Sequence, residues 1–357
     1  MALYDGCPEG VQRKLVELTE RFSFSERSNK GGSGFVFFGT QTATQRSVAV
    51  KFHCLHDSAS EVLDLASISS PNVIGVLDAG PVDADWAYFV TPHCEGGDFE
   101  GFRLSGTTTQ RDSVKAIANV LVGASHLHSA QLVHRDLKPS NVFLNADGDA
   151  IIGDLGSIRR IPAGGAITGS AKTLFYVPPE VASSGCYSTQ SDLYQIGLML
   201  YRFAGGSLPH EIEPWLDKRS RLLLASELDR VRRNAIENEA VLSRIRLGRA
   251  ADIASLPPYT PRRLVSVIRR SVAAKLERRY LSASAFLNEL NQARAETFPW
   301  VEDGPLYILL SDLPKSVWHE GSAGYVVKAK RDAGWRKMNN GSFRTIEEAF
   351  RFAEQAR

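Results

Sequence analysis

The chain has 357 residues, a formal net charge of +2 and 43% hydrophobic residues, which supplies large apolar cores and gives no global pull toward nucleic acid or a membrane surface. No apolar run reaches the roughly 18 residues of a membrane-spanning helix, and Met1 to Glu20 lacks the basic, apolar, small-residue order of a signal peptide. Four scattered cysteines, Cys7, Cys54, Cys94 and Cys186, form neither a metal-ligand pattern nor a disulfide framework, so a reducing, cytoplasmic setting is expected.

In chain order, residues 9–20 carry Val11, Leu15 and Leu18 at helical spacing. This predicts a short amphipathic helix, within an extension over 1–20, that packs on the main body. Phe22 to Val50 reads as three strands. Their first turn, Asn29-Lys30-Gly31-Gly32-Ser33-Gly34-Phe35-Val36, fits G-x-G-x-x-G-x-V except for Asn29 at the first glycine. Glycines there let backbone N–H groups approach phosphates, although taken alone the stretch reads better as a glycine-rich hairpin turn. Val48-Ala49-Val50-Lys51 ends an apolar strand on a lysine, which is costly to bury unless paired. Glu61 is the expected partner. It opens a helical pattern continued by Leu65 and Ile68. Val76-Leu77 and Trp86–Val90 read as two further strands, and the connector from Thr91 to Asp98 marks a boundary beyond which helical patterns begin. Ser113 to His128 is an apolar helix.

The segment His134-Arg135-Asp136-Leu137-Lys138-Pro139-Ser140-Asn141 then lies between apolar stretches. Asp136 and Asn141 stand five apart, a match too full for an ordinary basic turn. Ile151-Ile152-Gly153-Asp154-Leu155-Gly156 places a carboxylate between an apolar strand and a glycine turn. Thr173-Leu174-Phe175-Tyr176-Val177-Pro178-Pro179-Glu180 follows, then an apolar helix opened by Asp192, and Arg279 near the end of the globular body.

In this order the motifs resemble the eukaryotic-type (Hanks-type) serine/threonine protein kinases over residues 22–292. The resemblance implies an α+β, bilobal fold: a β-rich N-lobe over 21–92, a helical C-lobe over 93–296 and ATP between them. It implies transfer of the ATP γ-phosphoryl group to Ser/Thr hydroxyls of protein substrates, with autophosphorylation, and ATP and Mg2+ as cofactors. Asp136 takes the position that accepts the hydroxyl proton, and Lys138 marks the serine/threonine class. Lys51 clamps the α/β-phosphates and Glu61 holds it. Asn141 and Asp154 match the metal-binding positions. Gly31, Gly32 and Gly34 match the phosphate loop. Val36, Ala49 and Phe143 match the residues that sandwich adenine. Thr91 matches the gatekeeper and Pro92 to Cys94 the hinge, where adenine must use backbone groups around His93 and Cys94 because Pro92 has no N–H. Glu180 and Arg279 match a supporting ion pair.

Leu155 replaces the usual Phe and is expected to pack on Leu65 and His134. Ser140 stands where some relatives carry Glu, leaving Asp98 as the remaining acidic contact for a basic substrate. Arg135 is expected to bind a phosphate on the activation segment at Thr168 or Ser170, joined by Arg159 and Arg160. A pseudokinase-like scaffold is the alternative from another class, but it would be expected to lose one of Lys51, Asp136, Asn141 or Asp154, and all four are present. The Pro178-Pro179-Glu180 platform favours a protein over a small-molecule substrate.

Ser207 to Pro261 is longer than the resemblance requires, with a basic helical insertion at about 211–256. Residues 218–249 hold nine Lys/Arg against four Asp/Glu, read as a solvated basic face or, more sharply, a docking site for an acidic partner. Glu227 to Leu247 is predicted as one helix with Leu228, Val231, Ile236, Leu242 and Ile245 as its apolar positions. After a boundary at 293–300, residues 300–357 read as a small α+β module. Its expected strands are Leu306–Leu310, Tyr325–Lys330 and Trp335–Met338. Its helix is capped by Thr345 with Glu348. Lys328, Lys330, Arg331, Arg336, Lys337 and Arg344 lie near Tyr325, Trp335 and Phe343. A protein-interaction module or lobe brace needs fewer assumptions than nucleic-acid binding, the other reading.

Overall fold

Alternating apolar residues build the first layer. The computed structural model describes residues 4–28, 34–54, 68–104, 108–162, 167–169, 173–332, 334–338 and 341–356. Helix α1 (Glu9–Leu18) buries Val11, Leu15 and Leu18 against a five-stranded antiparallel sheet, as its spacing predicts. The strands are β1 (Phe22–Arg27), β2 (Gly34–Gln41), β3 (Ser47–Cys54), β4 (Asp78–Pro81) and β5 (Trp86–Pro92), in the order β1-β2-β3-β5-β4. In β3 the residues Val48, Val50 and Phe52 are buried with Phe22 and Phe37 in this core. The two-residue period of a strand therefore turns Ala49, Lys51 and His53 to the other face. The fourth strand begins at Asp78, just beyond the predicted Val76-Leu77.

The second layer is helical. Helix α2 (Phe99–Leu104) leads to α3 (Gln110–Ser129), whose Thr109 and Asp112 form a capping box. Short pairs follow: β6 (Leu132–Val133) with β9 (Arg159–Arg160), β7 (Val142–Leu144) with β8 (Ala150–Ile152), and β10 (Ile167–Thr168) with β11 (Cys186–Tyr187). Helix α4 (Pro179–Ser184) precedes β11. Helix α5 (Thr189–Phe203) is buried almost all round, the signature of a central core helix. Beyond it lie α6 (Lys218–Ser226), α7 (Arg230–Arg246), α8 (Arg262–Ser271) and α9 (Ala283–Arg294).

The predicted helix over Glu227 to Leu247 is present as α7, capped by Asp229, which accepts the Arg232 N–H, and a separate helix, α6, precedes it. Part of the apolar face expected for α7 is corrected. Leu228 and Val231 are 93% and 76% exposed rather than apolar anchors; Ile236 and Ile245 do face the body. Leu228 precedes the cap of α7 and Val231 lies in its first turn, ahead of the buried Ala240, Val241 and Ile245.

The C-terminal module has five strands rather than the predicted three: β12 (Trp300–Asp303), β13 (Leu306–Leu309), β14 (Lys315–His319), β15 (Tyr325–Arg331) and β16 (Gly334–Lys337), a sequential antiparallel sheet. Helix α10 (Ile346–Gln355), with its Thr345–Glu348 capping box, packs Ala349, Phe350 and Ala353 on one face of this sheet. Tyr259, from the loop before α8, inserts into that small core and contacts the rings of Trp300, Tyr307 and Phe350. One side chain from the helical layer thus helps a module too small for a large core of its own.

Candidate active site

The catalytic-loop segment is held from below by α5. Asp192, fully buried, accepts the backbone N–H of His134 and of Arg135, each at 2.9 Å, and a hydrogen bond from His128 Nε2 at 2.9 Å. Gln195, one turn on, accepts the Leu137 N–H at 3.0 Å and donates to the Arg135 and Tyr176 carbonyls. These anchors let Arg135 hold a left-handed backbone at φ 71°. Sequence reading used Asp192 only as a helix start and passed over Gln195. The missed signal was two polar groups inside an apolar helix, since buried polar groups need partners.

His134 is buried. Its Nδ1 accepts the Asp136 N–H at 3.3 Å, so Nε2 carries the proton given to the Gly153 carbonyl at 2.9 Å. This bond ties the loop to the strand before Asp154. A Cβ on Gly153 would lie 2.5 Å from the Phe143 ring, so only glycine fits between that half-buried ring and the loop. Asp154 follows in a left-handed conformation, φ 47° and ψ 67°, that turns the chain into a short 3-10 helix at Leu155–Ser157. Leu155 is buried in the lower core.

The side chains converge. Asp136 accepts from Thr173 Oγ1 at 2.7 Å and from Asn141 Nδ2 at 3.0 Å, and the Lys138 Nζ lies 3.0 Å from it. Lys138 also donates to Thr173 Oγ1 at 2.7 Å. Asn141 Nδ2 donates to the Asp136 carbonyl at 2.8 Å as well, which leaves Oδ1 as the atom for a cation. Lys51 forms an ion pair with Asp154. Burial pushes the Asp154 carboxyl up, but the charge and hydrogen bond of Lys51, with His134 and Lys138, hold it below the usual carboxylate range. Gly31, Gly32, Glu61, Leu65 and Ser170 lie outside the described residues.

Between the layers, Val36 pairs with Lys51 and Ala49 with the buried Thr91 across adjacent strands. Gly34 opens β2, and a Cβ there would meet the Phe52 carbonyl at 2.0 Å, so its glycine serves strand pairing as well as any phosphate approach. At the hinge the His93 N–H is given to the Ser47 carbonyl at 3.0 Å. Pro92 has no N–H, so the Cys94 N–H is the donor that remains for a base. Burial pushes the Cys94 thiol up, keeping it protonated. Asp98 caps the following helix by accepting the Gly101 N–H at 2.8 Å, and Glu100 forms a two-pronged pair with the buried Arg202 at 2.5 Å.

On the activation segment, Thr168 is exposed and paired with Cys186. Arg135 Nε donates to the Ser157 carbonyl, and its guanidinium lies over the Tyr187 ring, so close to Gly169 that a Cβ there would come within 2.8 Å of Nη1. Arg159 turns to the Gly156 and Ile158 carbonyls and Arg160 to that of Ala130. Glu180 and Arg279 form a two-pronged ion pair at 2.9 and 2.7 Å, and Arg279 also donates to the Ala273 carbonyl.

Burial and the nearby Lys51 push the His53 imidazole down to about 4. Between pH 6.5 and 4 the unfolded chain therefore binds more protons than the folded one, and stability is lost as pH falls through that window. Denaturant midpoints measured against pH are expected to fall less steeply in His53→Phe than in the parent; parallel curves would contradict this.

A bilobal arrangement with a preorganised Asp–Lys–Thr–Asn cluster beneath a strand lysine defines the kinase class. Residues 25–244 match the family described as protein kinase domain, and the chain belongs to that family. It is similar to serine/threonine-protein kinase Nek3 of Mus musculus, 27% identical over 49% of this chain and 35% of that protein. It is 30% identical to serine/threonine-protein kinase 36 of Mus musculus over 53% of this chain and 15% of that protein. It is 30% identical to serine/threonine-protein kinase pkn2 of Myxococcus xanthus over 54% of this chain and 25% of that protein. The match thus spans about a third or less of each of these relatives. Among the described residues no helix is long and apolar enough to cross a membrane, and no disulfide joins the four cysteines.

Proposed function

We propose that this chain is an active serine/threonine protein kinase that transfers the γ-phosphoryl group of ATP to Ser or Thr hydroxyls, its own included. The observation that carries the reading is the Asp136 carboxylate fixed by Thr173, Asn141 and Lys138. A carboxylate so held accepts the proton of an incoming hydroxyl without reorganising. Lys138 is placed to neutralise charge developing beside that carboxylate. Lys51 clamps phosphates from the upper layer.

The residues fit a magnesium nucleotide. Asp154 and Asn141 Oδ1 present two hard oxygen donors, which suits an ion that takes only one or two protein carboxylates and completes its shell from phosphate and water. When bound, the metal supplies charge neutralisation across the phosphates. Occupancy is expected to draw Asp154 from Lys51, freeing the ammonium for phosphate. The hinge supplies the Cys94 N–H to the base.

Protein substrates follow from the platform at Leu174–Tyr176 and α4. With Glu100 paired to Arg202 and Asp98 spent as a cap, a strong preference for basic residues is not expected. The α6–α7 face, with Leu228 and Val231 exposed among arginines, is the proposed docking surface for an acidic partner. Incubation with labelled ATP and a Ser/Thr peptide library tests the reading: incorporation that requires Mg2+ supports it.

Phosphorylation of Thr168 or Ser170 is proposed as a gate, since Arg135 places its guanidinium beside Gly169. Mass spectrometry of active protein is expected to find phosphate there. Full activity of a Thr168→Ala, Ser170→Ala double variant would exclude the gate.

A further inference from the structure

Helix α10 covers one face of the C-terminal sheet. The register assigns the other face by the two-residue period. Ser316 pairs with Ile308 and Lys328, Lys328 with Lys337, Lys330 with Trp335, and Trp318 with Val326. These residues share the face opposite Tyr307, Val317, Val327 and Ala329, of which Val317 and Val327 pack with α10. The charges on this far face are Lys328, Lys330 and Lys337 at the β15–β16 end and Asp303 on β12, whose cross-strand partner is Leu306. Lys337 is paired with Glu320 at 2.7 Å.

A cavity of about 310 Å³ opens on this face, lined by Leu306, Ser316, Trp318, His319, Lys328 and Trp335, with Pro305 at its edge. The Lys328 ammonium sits 3.6 Å above the Trp318 ring, which fixes a cation in its wall. Trp335 is 36% exposed, a large indole left open to solvent. Ser316, one of the lining residues, is 1% exposed, and its buried hydroxyl has no hydrogen-bond partner among the described residues. Such an orphaned buried hydroxyl costs stability, which a ligand would recover.

We infer that this face binds single-stranded nucleic acid, with a base entering the cavity to stack on Trp335 and meet Ser316, and the backbone phosphates running along Lys328 and Lys330. The chemistry selects this occupant. An open indole beside lysines is a stacking platform with an anionic track. A duplex keeps its bases inside the stack, where they cannot fill a cavity. An acidic peptide would use the lysines but not the indole or the buried hydroxyl.

The test is fluorescence anisotropy of the full chain with labelled single-stranded DNA or RNA of about 12 nucleotides, at about 0.15 M salt. Parallel arms use the matched duplex and a labelled oligo-glutamate peptide. Single strands are expected to bind more tightly than either, and increasingly weakly as salt rises. Comparison of the DNA and RNA arms assigns the sugar. Trp335→Ala is expected to weaken binding about tenfold, and Lys330→Ala to weaken it and flatten the salt dependence. Lys330 is exposed, so its variant should keep the parent melting temperature, and circular dichroism checks that Trp335→Ala, which removes a partly covered indole, keeps the fold. Absence of single-strand binding, equal or tighter binding of duplex or peptide, or Trp335→Ala binding like the parent would overturn the proposal.

Discussion

Asp154→Ala is expected to abolish phosphoryl transfer and leave the fold intact. Asp154 is one of two oxygen donors proposed for the metal, and Asn141 cannot hold a divalent cation alone. The side chain packs no core: its neighbour Leu155 fills the apolar space, and the carboxylate faces Lys51. Its left-handed backbone is tolerated better by Asp than by Ala, so a small stability loss of about 1 kcal/mol accompanies the change. The rate should fall by orders of magnitude, because catalysis in this class is positioning and charge stabilisation. Labelled-ATP kinetics with circular dichroism measures both. Activity within twofold of the parent would remove Asp154 from the mechanism.

Arg279→Leu is expected to destabilise the chain by about 3–5 kcal/mol, the cost of leaving one member of a buried pair without its partner. Arg279 is almost wholly buried and joins Glu180, the Ala273, Ala274 and Gln190 carbonyls, and the face of Tyr194. Its loss leaves the Glu180 carboxylate its hydrogen bond from the Ser191 hydroxyl but no compensating charge from Arg279. The pair ties α4, at the end of the activation segment, to the loop before α9, so part of the loss should appear as reduced activity. A denaturant midpoint series reports it. A Glu180→Gln, Arg279→Leu double variant more stable than Arg279→Leu alone would identify the stranded carboxylate as the cause. A loss below about 1 kcal/mol would mean that water already compensates the pair.

The site was legible because its chemistry lies in short, local segments. His134 to Asn141 folds as one turn, so Asp136 and Asn141 meet through five residues of chain alone. The alternation of β3 likewise fixed which face Lys51 takes. Long-range anchors were not legible. Nothing near Glu100 in sequence points to Arg202, nor does anything near the catalytic loop point to Asp192. Both pairings arise when α5 is laid through the core. The pairing of Lys51 with Asp154 depends on how strand β3 and the turn after β8, far apart in sequence, are brought together.

In the C-terminal module, short strands bounded by Pro and Asp hid β12 and β14, because neither alternates over enough residues to register as a period. Its aromatic and basic residues were visible as a group. What the sequence could not do was sort them: Tyr325 and Phe343 belong to the core with α10, whereas Trp335, Lys328 and Lys330 belong to the opposite face. That sorting turns a generic basic segment into a site with one chemistry.

The central claim is that Asp136 takes the proton of a serine or threonine hydroxyl while phosphate leaves ATP. The most direct measurement is phosphoamino-acid analysis of a protein substrate incubated with γ-labelled ATP, Mg2+ and either the parent or Asp136→Asn. The substitution keeps the size and one acceptor oxygen of the side chain but turns the other oxygen into a donor and removes its basicity. The account predicts labelled phosphoserine or phosphothreonine with the parent and almost none with Asp136→Asn. Equal labelling by the two proteins would contradict it.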